Sequence, residues 1–186
     1  MLFISKGIPE KDGISVELRI VVGGRICALF GQEEALWLRG RLGFAETNNR
    51  DEEASLQNLL RNGLVEYTSR KDPAARCVIL NRCMIVPSKP GKRNALTKEE
   101  KIVLEWVSNA GFRLSLAELV FLYENRIRPT KSLLGEDNRQ ALTDRLYPDG
   151  KIETGAMDSG MESSRARDTV VDAVLGLLKK KRVVLL

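Results

Sequence analysis

The stretches "EEASLQNLLRNGLVEYTS" at 52–69 and "DTVVDAVLGLLKKKRVVLL" at 168–186 have the same shape. Each carries an amphipathic helix through a short turn or charged cluster and straight into β-prone residues. Leu56, Leu59, Leu60, Val65 and Tyr67 of the first correspond to Val174, Leu177, Leu178, Val183 and Leu185 of the second. The pattern predicts one small helix-to-strand module used twice.

A chain of 186 residues has room for two such modules. "PSKPGKRNA" (87–95), with two prolines and a glycine between apolar segments, separates them. The sequence therefore divides into an N-terminal domain over 1–87, a linker over 88–96 and a mainly helical C-terminal domain over 97–186.

In the first domain "ISVELRIVV" alternates apolar and polar residues up to Gly23-Gly24, and "RICALF" follows. A Gly-Gly pair between β-prone runs supplies the positive φ angles of a tight hairpin turn. That register sets Ile20 opposite Cys27 and Leu18 opposite Leu29. "FISKGI" (3–8) extends the hairpin to a three-stranded meander. Helices follow over 31–44, with Ala35, Leu38 and Leu42 as the apolar stripe beside Trp37, and over 48–63, with Asn49 as N-cap and Gly63 as stop. "LVEYTS" and "RCVILNRCMIV" read as a closing hairpin around "RKDPA".

The second domain opens with two capping boxes, Thr97 with Glu100 and Ser115 with Glu118. Gly43-Phe44 and Gly111-Phe112 read as Schellman stops. A weak helix covers 137–146. The stretch 147–164, with three glycines and Met157 and Met161 as its main apolar side chains, reads as a flexible loop. A closing helix from about Ser164 buries Val170, Val171, Val174, Leu177 and Leu178.

Helices followed by a final helix that runs into a β-wing resemble the winged-helix-turn-helix superfamily. "LLRNGLVEY" looks like the end of a recognition helix and the start of its wing, and "LLKKKRVVLL" is a second version. The expected fold is α+β, two winged-helix-like modules, the first preceded by an antiparallel β-hairpin or three-stranded meander. The resemblance implies that the N-terminal half of each final helix enters the major groove of double-stranded DNA.

Charge bears on that implication. The net charge is +5, and residues 165–186 hold six basic against two acidic side chains. Arg165 and Arg167 at the final helix start are candidates for phosphates or guanine edges. Lys179, Lys180, Lys181 and Arg182 are candidates for tracking a backbone, and Arg70, Lys71 and Arg76 for wing contacts. Against these stands "RDEE" (50–53), which puts three carboxylates where the first module would meet phosphates.

Other chemistry has little support. No histidine is present, which removes histidine acid–base and triad arrangements. Cys27, Cys77 and Cys83 sit among β-prone apolar residues and read as buried thiols, not metal ligands. "VVGGRICALFG" lacks the spacing of a dinucleotide or P-loop motif. No catalytic residue, metal or cofactor is expected. The absence of a long apolar run or leader-like start points away from a membrane and toward the cytoplasm.

The first expectation is thus a non-enzymatic transcriptional regulator that binds double-stranded DNA, in dimeric form. The alternative is a protein-interaction adaptor or complex subunit on the same modules. Tandem winged helices serve that role in the accessory subunit of bacterial condensin-like complexes, whose architecture this chain resembles.

Overall fold

A computed structural model describes residues 1–10, 17–72, 74–88, 96–109, 114–134, 144 and 165–186. Most of the linker, the stretch 147–164 and all of the 137–146 helix except Asp144 lie outside the described residues. The architecture is mixed helix and strand with small sheets. Contacts divide it into two compact units, Met1–Cys83 with Val184–Leu186, and Met84–Val183.

The first unit contains two three-stranded sheets. In one, β1 (Leu2–Ser5) lies between β5 (Ala45–Glu46) and β6 (Val65–Thr68), antiparallel to both. In the other, β2 (Ile8–Pro9), β3 (Leu18–Val22) and β4 (Arg25–Leu29) form an antiparallel meander. The Gly-Gly hairpin has the register its sequence dictates, with Ile20 opposite Cys27 and Leu18 opposite Leu29. Gly23 and Gly24 take φ of 56° and 78°, angles that a Cβ would strain. The run 3–8 is split between the two sheets, because Gly7 at φ 98° redirects the chain.

Two helices cover these sheets, α1 (Gly31–Gly40) and α2 (Arg50–Arg61). Phe3, Ile20, Val22, Leu29, Leu36, Trp37, Leu56, Leu59, Leu64 and Val65 make one core. Each fully buried leucine there contributes roughly 2 kcal/mol. Trp37 is fixed at both its polar ends: its Nε1–H donates to Lys6 O at 2.8 Å, and its carbonyl accepts from Ser5 Oγ at 2.7 Å. Gly40 lies against Phe3 and Ser5, where a Cβ would have no room. At the start of α2, Asn49 Oδ1 accepts from the Glu52 N–H at 2.9 Å, the cap its sequence predicts.

The hairpin expected over 64–86 does not form. After β6 the chain enters α3 (Ala75–Asn81), which buries Ala75, Cys77, Ile79 and Leu80. Asp72 starts it, its Oδ1 accepting the Ala74 N–H and its carbonyl the Ala75 N–H. An Asp-Pro-Ala-Ala opening favours helix over a turn into strand, and β6 takes β1 as its partner. The first module therefore has no wing of its own among the described residues.

The second unit begins with β7 (Ile85–Pro87), followed by α4 (Lys98–Asn109), α5 (Leu116–Glu124) and the short α6 (Lys131–Leu134). Both expected capping boxes are present, at Thr97 with Glu100 and at Ser115 with Glu118. The final helix, α7 (Arg165–Lys179), packs on α4 and α5 through Val170, Val171, Val174, Leu177 and Leu178, then hands over to β8 (Val183–Leu185).

The expected Schellman stop at Gly43 is absent: α1 ends through Arg41 in the right-handed region, and Gly43 has no positive φ. Among the described residues, which do not include Gly111 and Phe112, the motif occurs instead at Gly63, Arg126 and Lys181. In each, the left-handed residue donates three positions back and its successor donates five positions back, as in Gly63 N–H to Leu60 O and Leu64 N–H to Leu59 O.

Candidate interaction surface

Basic residues expected to meet nucleic acid fall into two groups. Some are engaged within the protein. Arg167 is 7% exposed, with its guanidinium on Asp168 at 2.7 Å. Lys180 Nζ donates to both oxygens of Glu100, at 2.8 and 2.6 Å. Glu100 is itself 4% exposed, and the Thr97 N–H donates to it at 2.7 Å. This carboxylate thus closes the start of α4 and holds the end of α7. Gly176 makes room for it, since a Cβ there would collide with Glu100 Oε1. Arg182 is 7% exposed, and its carbonyl accepts the Ser88 N–H at 2.9 Å. Arg70 is exposed but pairs with Asp72 at 2.7 Å, which draws the Asp72 carboxyl below its usual range.

Arg165, Lys179, Lys181, Lys71 and Arg76 remain exposed. Arg165 and Lys179 are the two ends of α7, about 21 Å apart at 1.5 Å per residue. The guanidinium of Arg76 sits 5.9 Å above the Phe44 ring. Cations so spread do not converge on one groove within α7. At the start of α2, Glu52 is committed to Arg39 at 2.6 Å, and with the Asn48 N–H this pulls its carboxyl down to about 2.

The first unit has a different kind of surface, and it lies on α1. The residues expected to be buried there, Ala35, Leu38 and Leu42, face water. Leu38 is 46% exposed and Leu42 38%. The core takes Leu36, Trp37 and Gly40 instead. At 3.6 residues per turn, Leu36 and Leu38 point about 200° apart, so α1 has an apolar stripe on each of two opposite sides. Trp37 and Gly40 decide which one is buried, because the indole must reach Lys6 O and the glycine must admit Phe3. A tryptophan three residues before a glycine was the available sequence signal.

The flanks of the exposed stripe differ. Toward α2 every polar group is tied down: Gln32 accepts from Ser55, Glu33 from Asn58, and Arg39 binds Glu52. On the other side Glu34 and Arg41 make no ion pair with any described residue. Arg41 lies 5.6 Å over the Trp37 ring, and burial lowers its pKa.

A second apolar strip lies on the meander. Ile8, Val21 and Ile26 are register partners across its three strands, on the face opposite Ile20. Ile26 and Phe30 are each 59% exposed. Among the described residues no cluster of three metal-ligating side chains occurs, and no helix is long and apolar enough to cross a membrane. No family model, curated protein or solved structure matches the chain.

Proposed function

We propose that the chain is a protein-interaction module, a subunit or adaptor that binds another protein through the outer side of α1. The carrying observation is the exposed stripe of Ala35 and Leu38 on α1 with Leu42 just past its C-cap, opposite the buried Leu36, Trp37 and Gly40. Apolar side chains spaced three and four apart that keep a third to a half of their surface in water leave that area unburied in the free unit, and they suit a helix-groove or helix-helix contact. The committed state of Arg167, Lys180 and Arg182 favours this over DNA reading.

DNA binding is the second reading, favoured by the exposed Arg165, Lys179, Lys181, Lys71 and Arg76. Fluorescence anisotropy against mixed duplexes, run beside photo-crosslinking from position 38, separates the two. The interaction reading expects one discrete protein adduct in nuclease-treated extract, lost on Leu42→Asp, and no duplex binding tighter than about 100 µM at 150 mM salt. Micromolar duplex binding that falls steeply with salt and ignores Leu42→Asp overturns it.

A further inference from the structure

The stripe on α1 has an internal polarity that bears on what covers it. Its small residue, Ala35, lies before its large ones, Leu38 in the second half of α1 and Leu42 just past the C-cap Arg41, whose right-handed backbone continues the helical course. Its unmatched charges are ordered likewise, with Glu34 beside Ala35 and Arg41 beside Leu42. A surface that is small and acidic at one end and large and basic at the other complements its own image turned end to end. We propose that α1 of one copy packs antiparallel on α1 of a second copy across a two-fold axis. The inference rests on the interaction reading above and names the partner of the same surface.

The antiparallel direction follows from size and charge together. Turned end to end, Leu42 of one helix covers Ala35 of the other, and the two Leu38 side chains meet on the axis. Glu34 then faces Arg41 of the second copy at both ends, giving each its missing partner. A parallel pair would set Ala35 on Ala35, leaving a void, and would put the Glu34 and Arg41 flanks of the two copies on opposite sides of the seam, where neither charge meets its complement. Closed two-fold contacts of this kind are isologous, each patch serving as its own partner. Only three seam positions over some two turns are involved, less than a standard interface. Dissociation in the micromolar range is therefore expected.

Sedimentation velocity from about 2 to 200 µM tests this on the full chain. The wild type should pass from monomer to dimer across that range. Leu38→Asp should stay monomeric, with an unchanged far-UV spectrum, because Leu38 is 46% exposed and lies outside the buried core of the unit. Arg41→Glu and Glu34→Arg should each raise the dissociation constant about tenfold, and the double variant E34R/R41E should restore it. Only an antiparallel pair rescues in this way. A wild type that stays monomeric at 200 µM overturns the proposal, as does a dimer indifferent to Leu38→Asp or one the double exchange fails to rescue. If the chain is monomeric yet position 38 crosslinks to a different protein, the second copy is wrong and the interaction reading stands. If neither occurs, both fall.

Discussion

Glu100 shows how much can depend on one carboxylate. It is buried, accepts from Thr97 and Lys180, and occupies the space that Gly176 leaves empty. In an open helix Gly→Ala gains about 1 kcal/mol from backbone entropy. At Gly176 the methyl meets Glu100, so Gly176→Ala should destabilise by roughly 1–3 kcal/mol in urea melts. A gain in stability would show that the glycine is not there for room. Pairing also gives the protein a pH dependence. Arg39 and the Asn48 N–H hold Glu52 at about 2, below its unfolded value of 4.5. A group depressed in the folded state adds stability above the unfolded value and loses it as pH falls toward 2. Glu52→Gln should flatten that acid limb and cost about 1 kcal/mol or less at pH 7, because the pair lies at the surface. Cysteine labelling probes burial directly. Cys83 is pushed up to about 12 by burial, and Cys77 is also buried, whereas Cys27 is partly exposed. Iodoacetamide should modify one thiol per folded chain, detected by mass, and all three only after unfolding.

At the level of elements, the repeated helix-to-strand shape has a physical counterpart. Gly63 after α2 and Lys181 after α7 hold equivalent places in the aligned stretches, and both take left-handed φ, 71° and 54°. The next residue, Leu64 or Arg182, accepts a backbone N–H from an earlier strand end, Lys6 or Ser88. One turn geometry is thus reached with glycine once and with lysine once. An L side chain in that region costs about 1 kcal/mol or more, so Lys181→Gly should raise stability by about 0.5–1 kcal/mol, while Gly63→Ala should lower it by a similar amount. Thermal melts decide both. These elements were legible because caps, glycine stops and strand alternation are local. Ala35, Leu38 and Leu42 misled because α1 has two apolar stripes of equal periodicity, and only Lys6 and Phe3, distant in sequence, select between them. The strand expected over "RCVILNRCMIV" formed only at its end, as β7: Asp72 accepts the Ala74 and Ala75 N–H groups and starts α3, whose buried Cys77, Ile79 and Leu80 take up the apolar run, and β6 stays at the edge of its sheet. The basic candidates of α7 were visible as charge, but the carboxylate that engages Lys180 lies far away in α4. Burial of such groups depends on long-range packing that a charge count does not contain.

The whole molecule is two units, and the chain passes between them more than once. It leaves the first unit at Cys83, forms the second, and then supplies Val184–Leu186 to the first. There the carbonyl of Leu185 accepts the Gly7 N–H at 2.7 Å, so a residue near one end of the sequence completes the backbone pairing of a residue near the other. Val183 and Leu185 are both buried. In topological terms the second unit is inserted into the first, whose two sequence segments are separated by about a hundred residues. During synthesis the first unit has to wait with an open edge beside Gly7 until residues 184–186 have been made, so the domain begun first is completed only after the one inserted into it has been synthesised.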